Sequence, residues 1–314
     1  MKKIFFWVAL LFTMCKASAQ SIAVDSKNQS IFSYFSSQEL TVQLTTTAPL
    51  TLSKAFTLDS VSKWYIDRKT GERIVTMIKK HQIFGEISML NSGDDGYLTL
   101  NKMRPGIGAK FGYQLATDTF KRTDMVGGAI TGGFNAVFKM DNIKLYNTDI
   151  NAEEDRKPLT YGVEGYFNWL LPTGRHPNFV EVLAITGTLQ HAWNKDDLLN
   201  YQNISETTVL PTIVALSDFR GSYGSLKTNI TNARISGAFA MYYWKLNLIP
   251  FLVYNYLSSP ESNYHVGAFL NVLAKPLIPN NIVIPSSLGV GIDWIRSAGN
   301  FSHANYILTG TIKI

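Results

Sequence analysis

Residues 106–117 read GIGAKFGYQLAT. Ile107, Ala109, Phe111, Tyr113 and Leu115 fall on one face of an extended chain, and Gly106, Gly108, Lys110, Gly112, Gln114 and Ala116 on the other. Strict period-two alternation marks a β-strand. One face is apolar and aromatic; the other mixes glycine with polar groups.

The same division returns along the chain. In 126–140, Val126, Ile130, Phe134, Ala136, Phe138 and Met140 oppose Thr131, Gly133, Asn135 and Lys139. In 159–171, Leu159, Tyr161, Val163, Phe167, Trp169 and Leu171 oppose Thr160, Gly162, Glu164 and Asn168. Tyr264, Val266, Ala268, Leu270 and Val272 face away from His265, Gly267 and Asn271, and Leu288 to Trp294 alternate with Gly289, Gly291 and Asp293. The last stretch sets Ala304, Tyr306, Leu308, Ile312 and Ile314 against His303, Asn305, Thr309, Thr311 and Lys313.

A soluble β-sandwich alternates too, but its strands are typically ~5–6 residues long. The clearest of these run eleven to fifteen, the length a tilted membrane strand needs. Tyr161 and Trp169 stand eight residues apart on one face, matching aromatic girdles at two bilayer interfaces. The fold expected is all-β, an antiparallel transmembrane β-barrel, with a sandwich or jelly roll as the rival. Ten strands are read back from the C-terminus: 303–314, 282–295, 263–274, 249–258, 230–247, 179–193, 159–171, 143–150, 126–140 and 106–117. With a periplasmic C-terminus, connections 141–142, 172–178, near 248 and 275–281 lie inside; 118–125, 151–158, 194–229, 259–262 and 297–302 lie outside. Residues 20–105 form either a small periplasmic β-rich portion or two to four more strands. About twelve strands are expected, with ten to fourteen open.

Residues 1–19, MKKIFFWVALLFTMCKASA, have a basic start, an apolar core too short to span a bilayer and an Ala17-Ser18-Ala19 cleavage site. This is a secretory signal peptide. A lipoprotein signal ending at Cys15 is the rival, disfavoured by Met14 and Lys16. Cleavage removes Lys2, Lys3 and Lys16, lowering the formal charge from +6 to +3, so no nucleic-acid partner is implied. It also removes the one cysteine, which excludes disulfides, a thiol nucleophile and thiolate metal sites. With 18 Phe, 15 Tyr and 6 Trp the chain is not disordered, and 23 Gly and 1 Cys exclude collagen-like and disulfide-scaffold classes.

The Ala19-Gln20 signal end and glycine-and-tyrosine strands such as GIGAKFGYQLA resemble outer-membrane barrels of Bacteroidetes-type bacteria. The resemblance covers residues 1–20 and 106–314 and implies a Gram-negative outer membrane, its lipid as surroundings and the barrel-insertion machinery as a partner. Such barrels often end in Phe or Trp; this chain ends in Ile314.

No catalytic template fits. The His-x-Ser pair of barrel lipases fails at His81, His176, His191, His265 and His303, and the paired Asp-x-Asp and Asp-x-His of omptin-type proteases are missing. Ser92 to Gly96 reads as a polar turn rather than a Ca²⁺ loop, and Gly106-Ile107-Gly108 is no nucleotide fingerprint, because no helix follows it. Asp59-Ser60-Val61 matches a short O-glycosylation sequon. No cofactor, metal site or catalytic residue is expected, and the chain is not read as an enzyme.

By parity, Lys110, Gln114, Asn135, Lys139, Glu164, Asn168, His265, Asn271, Asp293, His303 and Lys313 line the lumen. They either line a water-filled pore or pair across a narrow barrel and plug it, inward glycines giving bulky neighbours room. The 36-residue connection 194–229 is long and partly apolar; it forms a constriction, an added strand pair or a docking surface. The first functional reading is a passive pore for small hydrophilic solutes. The alternative is a non-conducting structural subunit that binds an envelope partner through residues 20–105 or 194–229. A lipid-modifying enzyme stands third.

Overall fold

The computed structural model describes residues 20–24, 30–34, 41–45, 50–66, 71, 73–91, 105–120, 126–147, 152–171, 179–193, 199–209, 212–223, 226–228, 230–257, 263–275, 286–297 and 300–313. The signal-peptide reading of 1–19 lies outside these residues. Every regular element among them is a strand. The first are β1 (Gln20–Val24), β2 (Ser30–Tyr34), β3 (Thr41–Thr45), β4 (Leu50–Ile66), β5 (Arg73–Asn91) and β6 (Pro105–Phe120). There follow β7 (Val126–Met140), β8 (Ile143–Asn147), β9 (Ala152–Arg156), β10 (Leu159–Leu171), β11 (Phe179–Ala192) and β12 (Leu199–Val209). The last six are β13 (Thr212–Tyr223), β14 (Ile230–Tyr243), β15 (Leu246–Leu257), β16 (Asn263–Leu273), β17 (Ser287–Ser297) and β18 (Asn300–Lys313).

Twelve strands close a ring in the order β3-β4-β5-β6-β7-β10-β11-β14-β15-β16-β17-β18, with β18 returning to β3. All neighbours are antiparallel. The rival sandwich is thereby excluded, since a closed ring has no edge pair to stack. Following the registers once around returns to β3 displaced by about 14 residues, a shear that tilts twelve strands by ~40°. At ~4.8 Å between strands, the backbone radius is then about 12 Å.

Alternation sets the two faces. Ile107, Phe111, Phe134, Phe138, Val163 and Leu308 lie outward and are exposed, while Lys110, Gln114, Asn135, Glu164 and Thr309 on the same strands are buried. Outward aromatics gather at both rims. Tyr161, Tyr256, Tyr264 and Trp294 stand at one, and Trp64, Trp169, Tyr243 and Trp244 at the other. This is the apolar band with two girdles that a bilayer requires.

Two readings of the sequence are corrected, and one choice among alternatives is made. Residues 143–150 are not a wall strand: β7 pairs directly with β10, and β8 and β9 make a hairpin above the ring. Removing that strand reverses the side assigned to connections upstream, so Phe120 and Val126 lie at the rim where β18 ends, and Met140 and Leu159 at the opposite one. The turn placed near 248 is Trp244-Lys245, with Trp244 at φ 51°, the left-handed backbone a two-residue hairpin demands. Pro250 lies inside β15, and the β14 ladder skips it, running to Ala238–Phe251 and resuming at Met241–Leu248. Proline has no N–H to give there. Of the three alternatives read for 194–229, the structure has the added strand pair: β12 and β13 pair with each other, and β13 runs parallel to β8. A four-stranded sheet, β12-β13-β8-β9, therefore stands at the rim opposite the barrel's first and last strand ends. Trp193, buried against Ile143 and Leu145, donates its indole N–H to Asp141 Oδ2 at 2.9 Å and fastens that sheet to the rim.

Residues 20–105 divide. β3, β4 and β5 are wall strands, three within the two to four expected, while β1 and β2 are a separate two-stranded sheet.

Candidate functional site

The lumen has two chemically distinct halves. Toward the rim where β3 begins and β18 ends, β11, β14 and β15 turn an apolar patch inward, with polar Asn247 and Asn271 beside it: Val180, Val182, Ala184, Ala238, Ala240, Tyr242 and Ile249 are all buried. Ala23, Ile31 and Phe32 of the β1–β2 hairpin pack in the same cluster and are at most 1% exposed. The hairpin thus sits inside the barrel, with β2 against β10, β11 and β14. A twelve-stranded wall leaves roughly 14 Å across once its own side chains are in place, and a two-stranded sheet about 10 Å thick occupies most of it.

Past the middle of the wall the lining turns polar and grips the hairpin's inner end. Lys110 Nζ donates to Ser30 Oγ at 2.5 Å, Arg234 Nη1 to the Ser30 carbonyl at 3.1 Å, and Thr186 Oγ1 to the Ile31 carbonyl at 3.2 Å. Lys110 also lies 3.5 Å from Glu164 Oε2 and 3.9 Å from Glu86 Oε1. Asn135 Nδ2 donates to Glu164 Oε1 at 3.1 Å. Gln114 Nε2 donates to Gln82 Oε1 and accepts at Oε1 from the Tyr166 hydroxyl, both at 2.7 Å. Buried charges survive only when paired and hydrogen-bonded; here Lys110 is paired with two carboxylates and Glu164 is bonded at both oxygens. Lys139, half-buried, lines a small recess with Gln43, Thr51, Glu86, Ser88 and Lys110.

A second polar cluster lies on β15, β16 and β17. His265 and Asp293 are 0% exposed, with Nδ1 3.2 Å from Asp293 Oδ2. Nε2 lies 2.9 Å from Asn255 Nδ2 and 3.2 Å from Asn263 Oδ1. These partners suit an imidazole that donates from Nδ1 to the carboxylate and accepts at Nε2 from the Asn255 amide. His81 and His191 point outward and meet Tyr113 and Tyr161.

The inward glycines explain how polar groups reach one another across an intervening strand. Gly133 stands between its register partners Gln114 and Tyr166, and a Cβ there would lie 2.6 Å from the Tyr166 hydroxyl. Gly289 separates Asn271 from Thr309, whose hydroxyl donates to Asn271 Oδ1 at 3.2 Å; a Cβ would fall 1.8 Å from that oxygen. Phe84, Phe251 and Phe269 likewise lie over Gly112, Gly267 and Gly291 opposite them. Glycine paired with a large residue is a recurrent sheet device.

Of the residues read as lumen-lining, Lys110, Gln114, Asn135, Glu164, Asn168, His265, Asn271 and Asp293 are buried on the inner face and Lys139 is half-buried there. They fall into the Lys110–Glu164 group, the His265–Asp293 group and the Asn271–Thr309 pair; Asn168 stands apart from these bonds. His303 and Lys313 belong to β18, but their side chains lie outside the described residues. Sequence reasoning missed Ser30, Ile31 and Phe32, and the basic partner Arg234. The signal was available: in Val182–Ile185 and Leu248–Val253 both faces are apolar, which a water-filled lumen would not require. Among the described residues no group of three or more His, Asp or Glu converges as a metal site.

The architecture defines a class: a closed twelve-stranded antiparallel barrel with an apolar exterior and a hairpin in its lumen. Among solved structures the chain is similar to the β domain of the Bordetella autotransporter Brka. The two share 8% identity, with a TM-score of 0.34, over 88% of this chain and 96% of that one. No family model and no curated protein matches the chain.

Proposed function

We propose that this chain is an outer-membrane β-barrel of a Gram-negative bacterium, closed at rest and working through its rims as a structural or partner-binding subunit. The observation that carries this reading is the seated β1–β2 hairpin, gripped at Ser30 and Ile31 by Lys110, Arg234 and Thr186. The apolar band and its two girdles support a bilayer as surroundings, and the reading of residues 1–19 as an export signal agrees. The four-stranded rim sheet, drawn from 141–158 and 193–229, offers an envelope partner a surface outside the membrane. The reading is non-enzymatic: His265 Nε2 faces two amides, not a hydroxyl or thiol that it could activate.

The test is conductance of the purified protein in a planar bilayer. A folded, inserted protein is expected to pass no steady current. Continuous, reproducible open steps from the unaltered chain would overturn the closed reading and restore the passive pore for small hydrophilic solutes.

A further inference from the structure

We infer that the β1–β2 hairpin is a removable gate, which withdraws through the rim where β3 begins and leaves an open, conducting lumen. This rests on the closed-barrel reading and deepens it. Three observations carry it. First, the wall is complete without the hairpin: the twelve-strand ring closes through β18 and β3, and no wall strand shares a ladder with β1 or β2. Leaving the lumen therefore breaks no wall pairing.

Second, the route is open by topology. Gln20 pairs with Tyr34, so both outer ends of the hairpin lie together, and Tyr34 leads over six residues to Thr41, which pairs with Lys313 at the rim. Val24 pairs with Ser30, and this pair marks the inner end of the described hairpin. A hairpin whose two outer ends lie at one mouth slides out without threading anything through the barrel.

Third, its seat divides as a gate's seat should. Its apolar side chains rest on the apolar half of the lumen, whereas its inner end is held by a few side-chain bonds to main-chain oxygens of Ser30 and Ile31. Behind it stand Lys110, Glu86, Glu164 and Asn135, which keep the Lys110–Glu164, Lys110–Glu86 and Asn135–Glu164 contacts without the hairpin. A lining of both charge signs accepts water and ions once uncovered.

The experiment places a cysteine pair, I31C with T186C, in a chain whose one native cysteine is in the leader, and records single channels before and after reduction. The reduced protein is expected to open at least tenfold more often than the oxidised one. A second variant, Phe32→Asp, puts a charge in the apolar seat and is expected to raise open probability by at least tenfold without changing heat-modifiable gel mobility. A pair that does not oxidise in the folded protein, or equal activity in both redox states, would overturn the gate. If the unaltered chain is silent and F32D is silent too, the gate fails while the closed reading stands. If the unaltered chain conducts steadily, the closed reading itself fails.

Discussion

Gly133→Ala is the sharpest test of how this lumen is built. The added methyl would stand 2.6 Å from the Tyr166 hydroxyl and 2.6 Å from the Tyr113 carbonyl oxygen. Neither contact is tolerable, and the carbonyl belongs to the ladder, so the Tyr166 ring must move. Its hydroxyl then loses the 2.7 Å bond to Gln114 Oε1. Overpacking costs about 1–3 kcal/mol, and a buried amide oxygen left without its donor about 1–3 more, giving roughly 2–6 kcal/mol in all. Gly165 and Gly237 are the controls: a Cβ at the first meets nothing nearer than 3.9 Å and at the second nothing within 4 Å. Alanine there should be neutral or stabilise by about 0.5–1 kcal/mol, as strand glycines give up entropy. Reversible denaturant unfolding in detergent micelles, followed by tryptophan fluorescence, measures all three. If G133A unfolds at the same denaturant concentration as the unaltered protein, glycine-spanning contacts do not organise this lumen.

Lys110→Met should destabilise by about 3–5 kcal/mol, because it strands the buried carboxylates of Glu86 and Glu164; the K110M/E164Q double variant should recover part of that in the same unfolding assay. In bilayers doped with brominated lipid, single-tryptophan variants keeping Trp169 or Trp294, 42% and 40% exposed, should be strongly quenched, and one keeping Trp193, 7% exposed, should not. Equal quenching would contradict the assignment of inner and outer faces. Trp193→Ala removes the bond to Asp141 and the packing on Ile143 and Leu145. Proteolysis within 194–229 should then quicken while the barrel keeps its heat-modifiable mobility.

The ring was legible where one face of a strand is apolar and the other is not. Ile107 to Leu115, Tyr161 to Trp169 and Tyr264 to Val272 carry that contrast, and each is a wall strand with the outward set exposed. Legibility failed where the physics lay outside the strand's own two faces. Ile143 to Asn147 alternates like a short wall strand, yet its apolar Ile143 and Leu145 are covered by Trp193, a residue about fifty positions on. Pro250 suggested a turn because proline breaks a ladder; here it merely leaves one rung unmade and the strand continues. The lumen residues emerged from parity alone, but which of them meet depends on register, and register is not written in the alternation.

The hairpin shows why a period-two reading misses what fills a barrel. Alternation reports that a side chain points inward, not what it finds there. An inward Val180, Val182 or Ala184 looks like a flaw in a polar lining until Ile31 and Phe32 are placed against it. The same reasoning runs in reverse for the charged half. Lys110 and Arg234 sit on wall strands four places apart in the ring and converge on one neutral residue, Ser30. A wall that only needed to be packed would fill that volume with apolar side chains, at less desolvation cost than buried cations and carboxylates. The polar half is instead a surface that stays hydrated and balanced if the hairpin leaves, and the apolar half is a seat to which it can return. Two states of the lumen, hairpin seated and hairpin withdrawn, account for both halves together.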